Sequence, residues 1–318
     1  MITVLAGGVG AARYLSGLQR VVPPSEITAI VNTADDTVLH GLAISPDLDT
    51  VTYTLAGLID PERGWGLVEE SWRAMGALTR FTAHRPEGSA AGGTWFNLGD
   101  QDLATHLYRT GRLAEGAALS AVTAEITAAF GLGLRLLPMT DETVGTIVTV
   151  PGEGEITFQE YFVGRRHGVP VSAVRFAGAA TAPLGPGVAD ALRSAEVVVI
   201  APSNPIVSIG PIRALGGVDD ALAGRRDTVV AVSPIVAGTA LKGPADRMLA
   251  ELGHEASVVG VARLYAPICG CLVIDHSDER LADAVEREGL RCVVADTIMR
   301  SPDVADELAR TTLAAARR

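Results

Sequence analysis

Residues 2–18, reading ITVLAGGVGAARYLSGL, set a short apolar run (Ile2, Val4, Leu5) against Gly7, Gly8 and Gly10, with a helix-period pattern behind them. Strand, glycine turn and helix in that order aim unpaired backbone N–H groups and a positive helix end at one point, which suits a phosphate. Glycine belongs there because a Cβ would hold an anion off the backbone. The match to the dinucleotide fingerprint is incomplete: Gly8 and Gly10 fit, but Arg13 stands in the third glycine slot. A third glycine serves close helix–strand packing, whereas an arginine one turn into the helix can clamp a phosphate through two N–H groups. A plain tight turn is the alternative reading. No Walker lysine follows, so a P-loop NTPase is not expected.

With 318 residues, the chain is long enough for one large or two modest domains. Hydrophobic residues make up 48% and charged residues 20%, enough for a sizeable core. The net charge of −11 argues against a nucleic-acid partner, which needs a basic face, but leaves room for a locally positive cleft. No run approaches the ~18 apolar residues of a bilayer span, and the amino end lacks the basic flank of a secretory signal. Neither a membrane segment nor a leader is therefore expected. The three cysteines, Cys269, Cys271 and Cys292, form no disulfide framework and fit reduced core thiols in a cytoplasmic protein.

Residues 27–31 read as a second strand, ending in Asn32-Thr33-Ala34-Asp35-Asp36. In an open α/β sheet ligands gather beyond the carboxyl ends of strands, so these two acids are either a solvated turn or part of a site. Ser45-Pro46-Asp47-Leu48-Asp49-Thr50 then opens a helix that continues through Leu55 and Leu58. One aspartate suffices as its cap, which leaves Asp49 free to hold Mg²⁺ or orient a hydroxyl. A helix is predicted over 65–78, a mobile surface loop over 83–93, and a further helix over 120–130. Trp95, Phe96 and Asn97 place adjacent aromatics beside an amide, suited to a flat ring or to an ordinary core.

From Val144 the period changes to two. Strands over 146–150 and 156–163 around Pro151-Gly152-Glu153-Gly154 predict a hairpin within an inserted α+β region at about 136–176. The α/β rhythm resumes with Val197–Ile200, running into Ala201-Pro202-Ser203-Asn204-Pro205. Further strands are predicted over 228–232, 258–261, 272–274 and 293–295, alternating with helices over 279–288 and 303–315. The fold expected over 1–318 is α/β: a doubly wound, mostly parallel Rossmann-like sheet interrupted by the smaller insertion.

If the strands before Gly7–Arg13, Pro202–Gly210 and Ser233–Lys242 lie side by side, their loops meet at one crevice. Arg13 and Lys242 would face phosphates there, while Ser203 and Asn204 read a base or pyrophosphate. Asp35, Asp36, Asp47 and Asp49 follow on the neighbouring strand's loops, and carboxylates opposite phosphates call for a bridging cation. Phosphoryl-type transfer is the chemistry that follows. The six histidines, His40, His84 and His106 among them, are scattered and read as structural or solvated.

The segments Ala6-Gly7-Gly8-Val9-Gly10, Val31 to Asp36, Ile44 to Thr50, Trp95 to Asp100, Leu137 to Asp141, Phe158 to Phe162, Pro202 to Pro205 with Ser208 to Pro211, and Ala240 to Ala245 occur in one order over nearly the whole chain. In these it resembles the 2-phospho-L-lactate transferase family, which assembles the deazaflavin coenzyme F-420. Two positions depart from the family pattern: Ala11 where a further glycine is usual, and Gln101 where a basic residue is usual.

The resemblance implies that a guanosine diphosphate ester of lactate or enolpyruvate donates its phospho-acid to the ribityl hydroxyl of the deazaflavin FO. GMP departs, and Mg²⁺ is the implied cofactor. On this reading Asp49 binds the metal or orients the hydroxyl, with Asp35 and Asp36 as further metal ligands and Asp47 assisting. Gly8, Gly10 and Arg13 hold the pyrophosphate; Ser203, Asn204 and Lys242 contact the guanylyl part; Trp95, Phe96 and Asn97 border the deazaflavin. The two candidate acids differ by a double bond beside the carboxylate, a feature no motif here reads. The alternatives are a nucleotide-sugar-binding regulator of the gluconeogenesis-factor type, similar in fold, and an NAD-dependent dehydrogenase. A homodimer is expected from the Gly/Ala-rich apolar composition.

Overall fold

Seven parallel strands form the centre of the computed structural model, which describes residues 1–316 except 88, 90 and 94. In chain order they are β1 (Ile2–Ala6), β2 (Ile27–Val31), β3 (Arg135–Pro138), β4 (Val197–Ile200), β5 (Val229–Val232), β6 (Cys271–Asp275) and β7 (Arg291–Ala295). Their spatial order is β3-β2-β1-β4-β5-β6-β7, so the chain winds outward from β1, returns beside it at β4, and winds outward the other way. Register is continuous across that return: Ile2 pairs with Ile27 on one side and with Val197 on the other. The doubly wound parallel sheet expected from the sequence is therefore present.

β-branched runs buried on both faces explain the strands. Every residue of β1, β2, β4, β5 and β6 is buried. Alternation divides them between two cores: Leu5, Ile30, Val198 and Ile200 face one layer, and Val4, Ala6, Val31, Val199 and Val230 the other. Helices α1 (Gly8–Val21) and Pro302–Ala316 cover the second face. Close packing there depends on Gly17, where a Cβ would stand 2.4 Å from the Ala305 carbonyl oxygen.

Several boundaries differ from the sequence reading. The apolar run 258–261 is helical, within Val258–Tyr265, because Ser257 caps it by accepting from the Val259 and Gly260 N–H groups at 3.1 and 3.2 Å. Residues 136–138 belong to the edge strand β3, so the insertion begins after them. Its sheet has three strands, with Gly145–Val150 between Gly154–Thr157 and Ala173–Ala177. Residues 160–164 form a single wide helical turn rather than the end of a hairpin, burying Tyr161 beside Phe158. The helix expected over 65–78 starts only at Arg73 and runs to Thr82, because Gly64, Gly66 and Glu69 all take positive φ. The predicted helix 279–288 is split into a 3-10 turn, His276–Leu281, and a helix, Ala282–Arg287. Of the loop read over 83–93, Gly88 and Ala90 lie outside the described residues.

Between β2 and β3 runs a long crossover carrying α2 (Pro46–Leu55), α3 (Arg73–Thr82), α4 (Asp100–Ala114) and α5 (Leu119–Ala129). The cysteines are free, with Cys269 and Cys271 buried. Among the described residues no helix is long and apolar enough to cross a membrane.

Candidate active site

The reversal of strand order between β1 and β4 opens a crevice at their carboxyl ends, where open α/β sheets bind ligands. A cleft of about 640 Å³ lies there. It gathers Gly7, Gly8, Gly10 and Arg13 from the first turn, Asp35, Asp47 and Asp49 from the β2 side, and Pro202, Ser203 and Asn204 after β4. Lys242 closes it from the far side, and Trp95, Phe96, Asn97, Phe158 and Phe162 supply an apolar wall. The three loops read as convergent do converge.

Glycine has two different reasons in the first turn. Gly8 takes φ +68°. At Gly10 a Cβ would stand 2.0 Å from the Pro202 carbonyl oxygen, so this position is set by contact between α1 and the loop after β4. Its missing side chain is accounted for by packing, while Gly10 itself lines the cleft. The backbone N–H of Gly8 is directed at Asp47.

Ser203 and Asn204 also differ from expectation. The Ser203 hydroxyl donates to the Gly7 carbonyl at 2.8 Å and locks the two loops together. Asn204 Oδ1 accepts from the N–H groups of Ile206 and Val207 at 2.9 and 3.3 Å. The Ser203 proton and the Asn204 oxygen thus serve loop geometry, while Asn204 Nδ2, with only Met248 Sδ at 3.7 Å, keeps a donor at the cleft.

The acids fall into two groups. Asn32, fully buried, donates through Nδ2 to Asp35 at 3.1 Å and to Asp47 at 3.0 Å. Asp36 accepts from Ser45 Oγ at 2.6 Å. One carboxylate oxygen of Asp35 and one of Asp36 remain buried without a hydrogen-bond partner among the described residues. Burial pushes the carboxyls of Asp35 and Asp36 well above the usual range, the Asp47 charge adding to the effect on Asp35. Burial likewise pushes Asp47 up to about 6. Asp35, Asp36 and Asp47 do not bring three oxygens within 4.8 Å of one another among the described residues, and Arg109 also acts on Asp36; Asp35 and Asp47, joined through Asn32, are the hard-oxygen pair suited to share a divalent cation. Neither aspartate caps α2, whose N-cap is Ser45; Asp47 turns to Asn32 instead.

Asp49 belongs to the second group. Arg109 of α4, 2% exposed, binds both of its carboxylate oxygens, with Nη1 at 3.1 Å from Oδ2. The same Nη1 lies 3.2 Å from His106 Nδ1. Since a guanidinium only donates, that ring nitrogen accepts and carries no proton, which places the ring's hydrogen on Nε2, 3.1 Å from Asp102. Asp102 also accepts from the Tyr53 hydroxyl at 2.8 Å. A cation therefore already sits on Asp49, which sets it apart from Asp35 and Asp36, although Asp49, Asp102 and His106 offer ligand atoms within 4.8 Å of one another.

Sequence reasoning missed Asn32, Tyr53, Asp102, His106 and Arg109. The available signal was the spacing Asp102, His106, Arg109, which puts all three on one face of a helix. His106, read as structural or solvated, is buried and lines the cleft.

Also lining the cleft, Arg13 and Lys242 form no ion pair among the described residues. Partial burial, helped by the charge of Arg13, pushes the Lys242 ammonium down. Two neighbouring cations without counter-ions are arranged for a polyanion. Trp95 and Phe96 meet edge to face with centroids 5.8 Å apart, and Phe158 and Phe162 stack at 5.4 Å and 17°. Gln159, between the latter, donates to the Asp35 carbonyl at 2.9 Å and so ties the insertion to the acids. Of the two positions departing from the family pattern, Ala11 is buried in α1 and Gln101 is exposed, donating to the Val68 carbonyl at 3.1 Å.

A family model described as 2-phospho-L-lactate transferase CofD matches residues 2–312. A protein named phosphoenolpyruvate transferase from Streptomyces griseus is 43% identical over 316 residues, covering 98% of this chain and 97% of that protein. One of the same name from Mycolicibacterium smegmatis is 40% identical over 326 residues, covering 98% and 97%. Among solved structures, a UPF0052 family member from Bacillus halodurans superposes with a TM-score of 0.60 at 17% identity, covering 98% of each chain. That last likeness concerns the fold alone, whereas the family match removes the dehydrogenase alternative. A glycine turn, an acidic wall, a basic wall and 40% identity along the whole length agree: the chain belongs to the 2-phospho-L-lactate transferase family CofD and is a transferase.

Proposed function

We propose that this chain moves a phosphoenolpyruvate or 2-phospholactate group from its guanosine diphosphate ester to the ribityl hydroxyl of the deazaflavin FO, releasing GMP, with Mg²⁺ as cofactor. The observation that carries this reading is one cleft lined by two cations without ion pairs among the described residues, Arg13 and Lys242, and by the acids Asp35, with an unpaired oxygen, and Asp47. The names of the relatives from Streptomyces and Mycolicibacterium favour phosphoenolpyruvate as the acid.

Asp35 and Asp47 would hold the metal, with Asp36 behind them, and the metal would supply positive charge against a phosphate whose negative charge builds during transfer. Arg13 and Lys242 bind the donor's phosphates. The acceptor hydroxyl oxygen forms the new P–O bond as the bond to the GMP oxygen breaks in line with it, and its proton passes to a carboxylate oxygen of Asp49. Trp95, Phe96 and Asn97 seat the flat acceptor, and the stacked pair Phe158 and Phe162 keeps water from that side.

Incubation with FO and each guanylyl ester in turn, followed by mass spectrometry, tests the reading. Product with GMP is the expected result, the enolpyruvyl ester being the better donor. Nucleotide binding without product from either ester would contradict the reading and favour the nucleotide-sugar regulator.

A further inference from the structure

We propose that Arg109 is the positioning residue of the transfer: its guanidinium fixes the Asp49 carboxylate at the cleft wall, and His106 and the Ala43 carbonyl fix the guanidinium. The inference rests on the reading that Asp49 orients the acceptor hydroxyl.

Of the cleft's acids, Asp49 is the one gripped at both oxygens by a guanidinium, a fork that sets rotation as well as charge. The remaining Arg109 contacts are equally directional. Nη1 also reaches the Ala43 carbonyl at 3.3 Å and His106 Nδ1 at 3.2 Å. Asp102, held by the Tyr53 hydroxyl, lies 3.1 Å from His106 Nε2 without a hydrogen bond to it, an electrostatic contact on the far side of the ring. Asp49, Tyr53, Asp102 and His106 all border the cleft, and Arg109 lies behind them. A buried ion pair serving stability alone gains nothing from a place beside a ligand cavity, because burial costs the charges more than an apolar pair would. Asp49, Asp102 and His106 offer ligand atoms within 4.8 Å of one another, and the Arg109 charge on two of them opposes a metal there.

The test compares the parent with R109Q, R109K, D49N and D49N/R109Q. Single-turnover transfer, FO binding followed by its fluorescence, and thermal unfolding are measured for each. R109Q is expected to slow transfer about 10²-fold, the scale of a misplaced reacting group, while FO binding stays within about threefold. R109K, which restores the charge without the fork, should recover about tenfold of that loss. The double variant should be no slower than D49N, because Arg109 acts through Asp49. If R109Q does not fold, the double variant, free of a buried unpaired charge, carries the comparison. Transfer by R109Q within threefold of the parent, or a double variant slower than D49N by tenfold or more, overturns the inference alone. Parental turnover by D49N removes the reading of Asp49 and the inference with it.

Discussion

The amide nitrogen of Asn32 stands 3.0 Å from Asp47 Oδ2, joining the end of β2 to the first turn of α2. The same nitrogen serves Asp35 at 3.1 Å, so one donor holds two carboxylates that repel each other. Asn32 is fully buried, and its Oδ1 accepts from the Ala34 N–H at 2.9 Å. N32A should therefore lower stability by about 1–3 kcal/mol, the cost of leaving buried acceptors unpaired, and slow transfer at least tenfold. Urea unfolding and a turnover assay check both effects.

The raised carboxyls make a prediction about pH. Asp47 titrates near 3.8 when unfolded and at about 6 when folded, burial being the cause. Between those values the native protein holds a proton that the unfolded chain has released. This contribution is therefore fully present below about pH 4 and is lost as pH rises through about 6. Without divalent ions, the melting temperature of the parent relative to D47N should fall over that interval. Mg²⁺ at neutral pH should reverse the fall by occupying the oxygens that the protons leave. A parent-minus-D47N difference that does not change with pH would contradict the assignment.

Two glycines in helices should respond oppositely to alanine. At Gly10 the added Cβ meets the Pro202 carbonyl oxygen at 2.0 Å, a backbone atom that moves only with its loop, whereas at Gly111 it meets nothing within 4 Å. G10A should cost at least about 2 kcal/mol and displace the loop bearing Ser203. G111A, in the interior of α4, should stabilise by up to about 1 kcal/mol. Denaturation curves of both variants separate the packing role of Gly10 from a role confined to ligand binding.

Arg13 and Lys242 should act on the donor. R13A and K242A are each expected to weaken binding of a guanosine diphosphate about 10- to 100-fold, the worth of a charge-assisted contact of 1.5–3 kcal/mol. The effect should shrink as salt is added, and the melting temperature should hardly change, since neither side chain forms an ion pair among the described residues. Calorimetry at two salt concentrations is the check.

The sheet was legible because its strands are short, uniformly apolar and β-branched, as in Val197–Ile200 and Val229–Val232. The same pattern misled at 258–261, where four apolar residues fit a strand or a buried helix equally and only the Ser257 cap decides. Loop residues were legible as a neighbourhood but less so as roles. Gly10 and Ser203 were found as members of the cleft, yet the contact of Gly10 with Pro202 and the bond from Ser203 to Gly7, 196 residues apart, join two loops that sequence keeps distant. Arg109 was hidden for the same reason: nothing local to α4 announces that its charge belongs to Asp49, 60 residues earlier.

The central claim is that one cleft holds a guanylyl donor's phosphates between the cations Arg13 and Lys242 and a divalent ion on Asp35 and Asp47. A crystal grown with a guanosine diphosphate and Mn²⁺, with anomalous scattering recorded, tests it most directly. The account predicts a manganese peak bounded by oxygens of Asp35 and Asp47 and by a phosphate oxygen, with Asp49 still on Arg109. Phosphates bound away from Arg13 and Lys242, or a manganese peak on Asp49 and His106 in place of the other acids, would contradict it.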